Sequence, residues 1–476
     1  MDSLKEEPPN GLEWRVPMPE GAPATAVQAL GAWTRLSKCA DTIKTKVFGS
    51  AETVWKIGAD DPRKAMYGVK LGVALTLVSL LYYVRPMYHG VGGNAVWAIM
   101  TVVLAFEYTV GGTVSKGLNG TTGTVSAALL ALGVHWVASK SGGRFEPVVA
   151  SGSVFLLGAA AAFARFIPTV ALRFDYGVTA FILTYGYVAV SGYRVHDLPV
   201  LAVRRICTYS VGIFICIAVC ALVCPVWSGE QLRLLTARHM ESLAAAVEGC
   251  VDDCFASRPG PQAKWEAHKQ SVLDSKAAED AHANLAWWEP PHGRFGLRHA
   301  YDQYARVGAA MRRCACCLDA LGSLVVGTEA RATEHAAARV LGEACTRLGA
   351  RCARVLREAS GCVATMAVPR GLGLAMEEVN AAVDELRADL RALTSNVAEE
   401  HSETSLTEAM PLFTVASLLI EVSVRVKEVV DAVHVLATLA RFQPADDEGG
   451  ETAESEAKVH PLNKGSRLDL TTSAGL

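Results

Sequence analysis

Apolar residues in this 476-residue chain are gathered between about residues 66 and 227 and thin out on either side. A window of roughly 19 residues, the scale on which a membrane span shows itself, picks out six segments at 66–84, 92–110, 117–137, 146–165, 175–191 and 204–226. Each is close to the ~20 residues that carry a helix across the hydrocarbon. Small residues recur within them, in "GVKLGVALT", "TTGTVSAALLALG" and "FLLGAAAAFA". In lipid such residues let helix backbones approach closely, which predicts a packed bundle. After Trp227 the pattern becomes amphipathic, with apolar residues at i, i+3 and i+4 and charges between them. This predicts helices near 229–256, 265–283, 298–324, 328–358, 372–400 and 408–442, broken at "SRPGPQ" and "WWEPPHGRFG" by proline and glycine. The chain reads as an all-α membrane protein with six transmembrane helices per subunit followed by a cytosolic helical bundle. The boundaries are 1–62 for a cytosolic N-terminal segment, 63–228 for the membrane domain, 229–442 for the helical domain and 443–476 for an acidic tail. The tail is polar and without period, so it is expected to be disordered.

Composition agrees with that division. Hydrophobic residues make up 51% and charged residues 20%, with the apolar share concentrated where the spans are read. The net charge of −3 averages a basic membrane half against the acidic tail. No apolar stretch stands ahead of a cleavage site in the first 60 residues, so the first span itself is expected to direct insertion. Lysine and arginine set the orientation. With the N-terminus inside, the inner flanks hold Lys56, Arg63, Lys64, Lys116, Arg165, Arg173, Arg233 and Arg238, and the outer flanks Arg85, Lys140, Arg144 and Arg194. Both termini are therefore expected in the cytosol. Cysteines number 13 and avoid the outer segments, which reads as reduced thiols. "CACC" at 314–317 lacks a second ligand pair at zinc spacing and is read as packing. No metal and no cofactor is expected, and neither is a nucleic-acid partner.

Candidate chemistry is electrostatic. HExxH, GxSxG and a pair of intramembrane aspartates are absent from the sequence, so an enzyme is not expected. "EYTVGGTVSKGLNGTTGT" at 107–124 is glycine-rich around Lys116, but its Ser-Lys-Gly order is not that of a phosphate-binding loop. It is either a cytosolic turn or a broken helix start whose free N–H groups attract an anion. Glu107 is either a proton carrier or, preferred, the partner of a nearby basic group. Arg204 and Arg205 fall inside or at the outer edge of the last span. An arginine there costs at least ~2.5–3.5 kcal/mol, so it either snorkels to the interface or, preferred, faces an anion pathway. "FARFIPTVALRFDYG" at 163–177 adds Arg165 and Arg173 to the basic groups at the membrane edge. "WWEP" at 287–290, with Trp288, Glu289 and Pro290, reads as a rigid packed turn with a structural or gating role.

Several blocks together resemble plant aluminium-activated malate transporters. They are "DDPRKAMYGVKLGVALTLVSLLYY", "NAVWAIMTVVLAFEYTVGGTVSKGLN", "RFIPTVALRFDYGVTAFILTYGYVAVSGYRV", "CPVWSGEQL" and "SKAAED…WWEPPHGRF", spread over about 56–440. The resemblance implies a passive channel for malate and inorganic anions such as chloride and nitrate. It also implies a homodimer in the bilayer with its pore between subunits, and Arg205 at a pore position. Arg165 and Arg173 would then belong to a vestibule whose field concentrates anions. Two departures stand out. Members of that family usually place arginine after "SKGLN", where this chain has Gly120, so an arginine restored there is expected to add to the field. Aluminium-responsive members carry acids in outer segments where this chain has His89, His196 and Val200, so weak aluminium activation is expected. A proton-coupled carboxylate carrier and a scaffold without transport are the alternatives. The plasma membrane is preferred over the vacuolar membrane as the location.

Overall fold

A computed structural model describes residues 56, 62–83, 95–142, 145–192, 197–255, 263–293, 295, 299–328, 336–399 and 403–444. Most of the N-terminal segment, the acidic tail, His89, His196, Arg85, Arg144 and Arg194 lie outside these residues. The chain divides into two compact units, Met1–Val73 and Ala74–Leu476. Helix α1, Pro62–Tyr83, begins in the first unit and ends in the second; apart from α1, all that follows concerns the second.

The membrane half is built of helices joined by short non-helical links such as 106–109 and 223–227. α2 spans Ala95–Ala105, α3 Val110–Lys140, α4 Glu146–Ala164, α5 Pro168–Arg173, α6 Asp175–Ser191 and α7 Leu198–Leu222. Among the described residues, four helices are long and apolar enough to cross a membrane: Arg63–Leu81 of α1, with α3, α4 and α7. α2 has only 11 described residues and α6 has 17. α2 stops at Ala105, and a short linker carrying Glu107 precedes α3. There the Thr109 hydroxyl accepts from the Gly112 N–H at 3.1 Å, satisfying one of the orphan donors of a new helix. The glycine-rich stretch is therefore not a turn: from Val110 onward it forms the first turns of α3.

Glycine explains how closely α3 and α6 pack. A Cβ at Gly123 would run into the Gly177 carbonyl, and one at Gly177 would lie 2.8 Å from the Asn119 carbonyl oxygen. Each residue therefore lets the other helix's backbone approach. Asn119 adds a side-chain bond, its amide donating to the Arg173 carbonyl at 2.6 Å. α4 is tied to α6 by the Tyr185 hydroxyl donating to Ser153 at 2.8 Å, and buries none of its own residues within the protomer. Val154 and Leu157 pack half-buried against α3 and α6, and most of the rest of this apolar helix is open, as suits a face in lipid.

The second helical bundle begins at Ser228. Its elements are α8 (Ser228–Phe255), α9 (Ala263–Leu273), α10 (Lys276–Ala286), α11 (Tyr301–Thr328), α12 (Ala336–Thr365), α13 (Gly371–Glu399) and α14 (Glu403–Leu439). The expected helix at 265–283 is two helices, divided at Asp274 and Ser275. Two-residue strands, β1 (Ala367–Val368) and β2 (Gln443–Pro444), pair in parallel after α12 and α14. The amphipathic faces meet in one core, in which Met240, Leu243, Val247, Met311, Leu318, Leu348, Leu356, Val426 and Val433 are fully buried. Cys314 and Cys352 sit in the same core, where burial raises both thiols.

Candidate functional site

The site is built on the inner faces of α2, α3, α6 and α7. α7 begins at Leu198 with Pro199 in its first turn, a residue suited to a helix start. The apolar window had placed this span at 204. The earlier start carries Arg204 and Arg205 about two turns into the helix, not to its edge. Neighbours in sequence, the two arginines point to different sides. Arg204 is exposed, whereas Arg205 is 4% exposed.

Arg205 is enclosed by aromatic rings. Its guanidinium carbon lies 4.4 Å from the centre of the Trp97 ring on α2 and 5.9 Å from that of Tyr209, one turn on along α7. Tyr187 of α6 backs Trp97, with ring centres 4.6 Å apart. The Nε and one Nη of Arg205 are buried without a hydrogen-bond partner. Among the described residues no carboxylate forms an ion pair with it. Two ring faces recover part of the cost of removing the charge from water, about 0.5–2 kcal/mol each. That is less than the several kcal/mol an uncompensated buried ion costs. The arrangement can bind an anion.

Gly120 faces the same place from α3. A Cβ there would overlap the Tyr209 hydroxyl and stand 2.7 Å from the Tyr176 ring. The room an arginine would need at this position is filled by two tyrosines. Adding one would force overpacking and would not extend a basic field. The gain expected from an arginine there would require both rings to move aside.

The other basic candidates carry partners or lie open. Lys116, one turn before Gly120, contacts Glu107 at 2.5 Å and sits 5.5 Å from the Tyr176 ring centre. Glu107 is thus engaged by a basic group across the start of α3. Arg165 grips both oxygens of Asp175, at 2.6 and 3.1 Å, and closes the chain around Pro168 and α5. Arg173 is exposed at the end of α5. The "FARFIPTVALRFDYG" stretch therefore contains a clasp between α4 and α6 and one open arginine, so its two basic groups are not equivalent.

A second constellation holds the membrane helices to the bundle. The last turn of α10 ends at Ala286, and the Trp288–Pro290 segment follows it against the start of α3. Glu289 has a side chain 1% exposed. Its carboxylate accepts from the backbone N–H groups of Gly111 (3.3 Å) and Gly229 (3.1 Å), and also from that of Ser228. It therefore serves first-turn donors of both α3 and α8, where helix dipoles favour an anion. Gly111 is needed for the approach, since a Cβ there would strike the Leu285 carbonyl. The Val110 N–H donates to the Val226 carbonyl at 3.0 Å and fixes the same corner. Burial raises the Glu289 pKa, and the three N–H groups and His292 pull it back only partly. His292 lies flat on Trp227, ring centres 3.7 Å apart, with Nδ1 2.9 Å from the Pro290 carbonyl oxygen. Trp288 meets Trp287 edge-on at 5.0 Å. His299, half-buried nearby among Phe295, Tyr301 and Tyr304, has its pKa lowered to about 4 by loss of solvation and then by His292.

Sequence reasoning missed Trp97, Tyr176, Tyr209 and Gly111. Tyr209 carried a signal, because it stands at i+4 from Arg205 and so on the same helix face. The others come together only through tertiary packing.

The aluminium activated malate transporter family matches residues 55–396. Aluminum-activated malate transporter 10 of Arabidopsis thaliana is 38% identical over 95% of this chain and 98% of its own length. Aluminum-activated malate transporter 1 of Triticum aestivum is 39% identical over 84% of this chain and 87% of its own length. Aluminum-activated malate transporter 2 of Arabidopsis thaliana is 35% identical over 82% and 77%.

Proposed function

We propose, since this chain belongs to the aluminium-activated malate transporter family, that it is a passive channel through which malate and inorganic anions pass along the Arg205 face. The observation that carries this reading is a guanidinium 4% exposed, stacked on Trp97 and without a carboxylate partner among the described residues. A buried cation unmatched by protein charge attracts mobile anions strongly, because the effective dielectric there is well below that of water. An anion visits the site and leaves again, since the site offers one charge and no closed cage. Glu107 is read as the structural partner of Lys116 and not as a proton carrier, which favours passive passage over coupling. The exposed Arg173 and Arg204 supply a weaker, screened field nearby. The apolar surface of α4 is assigned to lipid and to a second copy in a homodimer. The bundle after α7 is assigned to the cytosol, and the channel to the plasma membrane. Aluminium activation is expected to be weak.

The test is flux on purified full-length protein in liposomes, with malate, chloride and nitrate as anions and sodium as the cation. Reversal potentials should follow the anion gradients and ignore a proton gradient. Arg205→Ala should lower anion current, Arg205→Lys retain part of it and Arg205→Glu nearly abolish it, after normalising for incorporated protein. Equal permeability to sodium and chloride, or full current in Arg205→Ala, would overturn the reading. A large current increase on adding external aluminium at acidic pH would remove the aluminium clause alone.

A further inference from the structure

Around Arg205 the structure offers a second kind of donor that the charge pattern does not reveal. The Tyr209 hydroxyl is buried with the Tyr176 ring beside it, and no described residue meets it in hydrogen-bond geometry. A buried hydroxyl left without an acceptor is costly, and the groups around it are the Arg205 guanidinium, which can only donate, and the Tyr176 phenol, which can donate or accept. Gly120 is what permits the arrangement, because any Cβ would occupy the place of the Tyr209 hydroxyl. The Arg205 Nε, one of its Nη atoms and the Tyr209 hydroxyl are thus buried donors without an acceptor, and they call for one that arrives from outside the chain.

We propose that the Tyr209 hydroxyl, supported by Tyr176 and made possible by Gly120, is the specificity-determining neutral donor of the Arg205 site, and that it selects carboxylate anions over halide. This rests on the reading of Arg205 as part of the anion path. A carboxylate has two localised oxygen acceptors, so it can take the guanidinium on one and a phenolic O–H on the other. Chloride is a single sphere and gains less from a second, directional donor. The guanidinium supplies attraction to any anion, and the hydroxyl discriminates among them. A site built to hydrogen-bond a particular group rejects a ligand that leaves its donor unmet.

The experiment measures malate-to-chloride permeability ratios from reversal potentials, using full-length protein in liposomes. The variants are Tyr209→Phe, Tyr176→Phe, Gly120→Ala and Arg205→Gln. Tyr209→Phe keeps the ring over Arg205 and removes only the donor, so the ratio should fall roughly tenfold, the scale of one hydrogen bond to a charged group. Gly120→Ala displaces the hydroxyl and should move the ratio in the same direction, while Tyr176→Phe should move it less. Arg205→Gln should depress malate and chloride currents together. If Tyr209→Phe and Gly120→Ala both leave the ratio within twofold while Arg205→Gln still removes current, the tyrosine is packing only and the proposal is wrong, with the Arg205 path intact. If Arg205→Gln leaves both currents unchanged, the path reading itself fails. Should Tyr209→Phe not fold, as judged by size exclusion in detergent, Gly120→Ala and Tyr176→Phe decide the matter by the same ratio.

Discussion

Replacing Glu289 by alanine should open the corner where α3, α8 and the end of α10 meet. The carboxylate accepts three backbone N–H groups, from Gly111, Ser228 and Gly229. Hydrogen bonds to a charged group are worth about 1.5–3 kcal/mol each, and a donor left buried and unmet costs about 1–3 kcal/mol. The gross loss is therefore roughly 3–9 kcal/mol. Against it stands the cost of keeping a carboxylate away from water, several kcal/mol, and the raised pKa shows that burial outweighs the bonds. The net expectation is about 2–4 kcal/mol of local opening. Hydrogen exchange reads that quantity directly, at ~1.4 kcal/mol per tenfold. The amides of Gly111, Ser228 and Gly229 should then exchange roughly 30- to 1000-fold faster in Glu289→Ala, while the α12–α13 core keeps its protection. Because the folded pKa is raised, protonation favours the folded corner. The stability linked to it is present at low pH and is lost as pH rises through the folded value. The wild-type corner should therefore exchange more slowly, after correction for intrinsic rates, below the ordinary carboxylate pKa of about 4.5 than at neutral pH. Exchange within threefold of wild type in a folded Glu289→Ala protein would refute the latch.

Three further outcomes are expected. Gly123→Ala should separate α3 from α6, because its Cβ meets the Gly177 carbonyl; thermal unfolding in detergent should show a loss of about 1–3 kcal/mol, and an unchanged melting temperature would count against backbone contact there. Gly120→Arg should lower current and stability together, read by liposome flux and melting, since Tyr209 and Tyr176 fill the space; a folded variant with higher current would contradict this. Glu279 is buried, which pushes its pKa up, but His239, Arg312 and Ser275 outweigh burial and hold it below the ordinary value, with Arg312 at 2.7 Å; its stabilisation is thus present above the unfolded carboxylate pKa and lost as pH falls through the folded one, so wild type should lose melting temperature below about pH 4.5 more steeply than Glu279→Gln.

The sequence was most informative where one physical rule acts along the chain. Hydrophobic windows fell on helices, four of them long and apolar enough to cross a membrane among the described residues, and period 3.6 located the bundle, because both follow from local side-chain chemistry. They misplaced the start of α7 because a window penalises Arg204 and Arg205, although the helix includes them. Charge placement singled out Arg204 and Arg205 within the last span but could not separate the exposed Arg204 from the buried Arg205, nor tell which other basic groups are paired. Only the fold sets Glu107 across the start of α3 from Lys116 and Asp175 across a proline turn from Arg165. "WWEP" could be recognised as a rigid turn from tryptophan and proline, but which donors its glutamate meets depends on two helix starts remote in sequence. Gly120 looked like a missing charge. Its meaning lies in Tyr209, which no spacing rule connects to it.

α3 joins the two constellations. Its first turn is held by Glu289 through Gly111, and Gly120 faces Tyr176 and Tyr209 beside Arg205. Nine residues of helix at 1.5 Å each place these points about 13 Å apart along one element. An α-helix is stiff over that length, and α3 is held against α6 by backbone contact at Gly123 and Gly177. Movement at the corner is therefore expected to reach the tyrosines as a shift of the whole helix, an expectation the following variant tests. Lys116 lies between the two ends, bound to Glu107 just outside the helix, so such a shift also loads that ion pair. Glu289→Ala should accordingly change anion current even though Glu289 does not touch Arg205, and the change should appear with the faster exchange of Gly111. Faster exchange at the corner with wild-type current and selectivity would show that α3 does not carry the coupling.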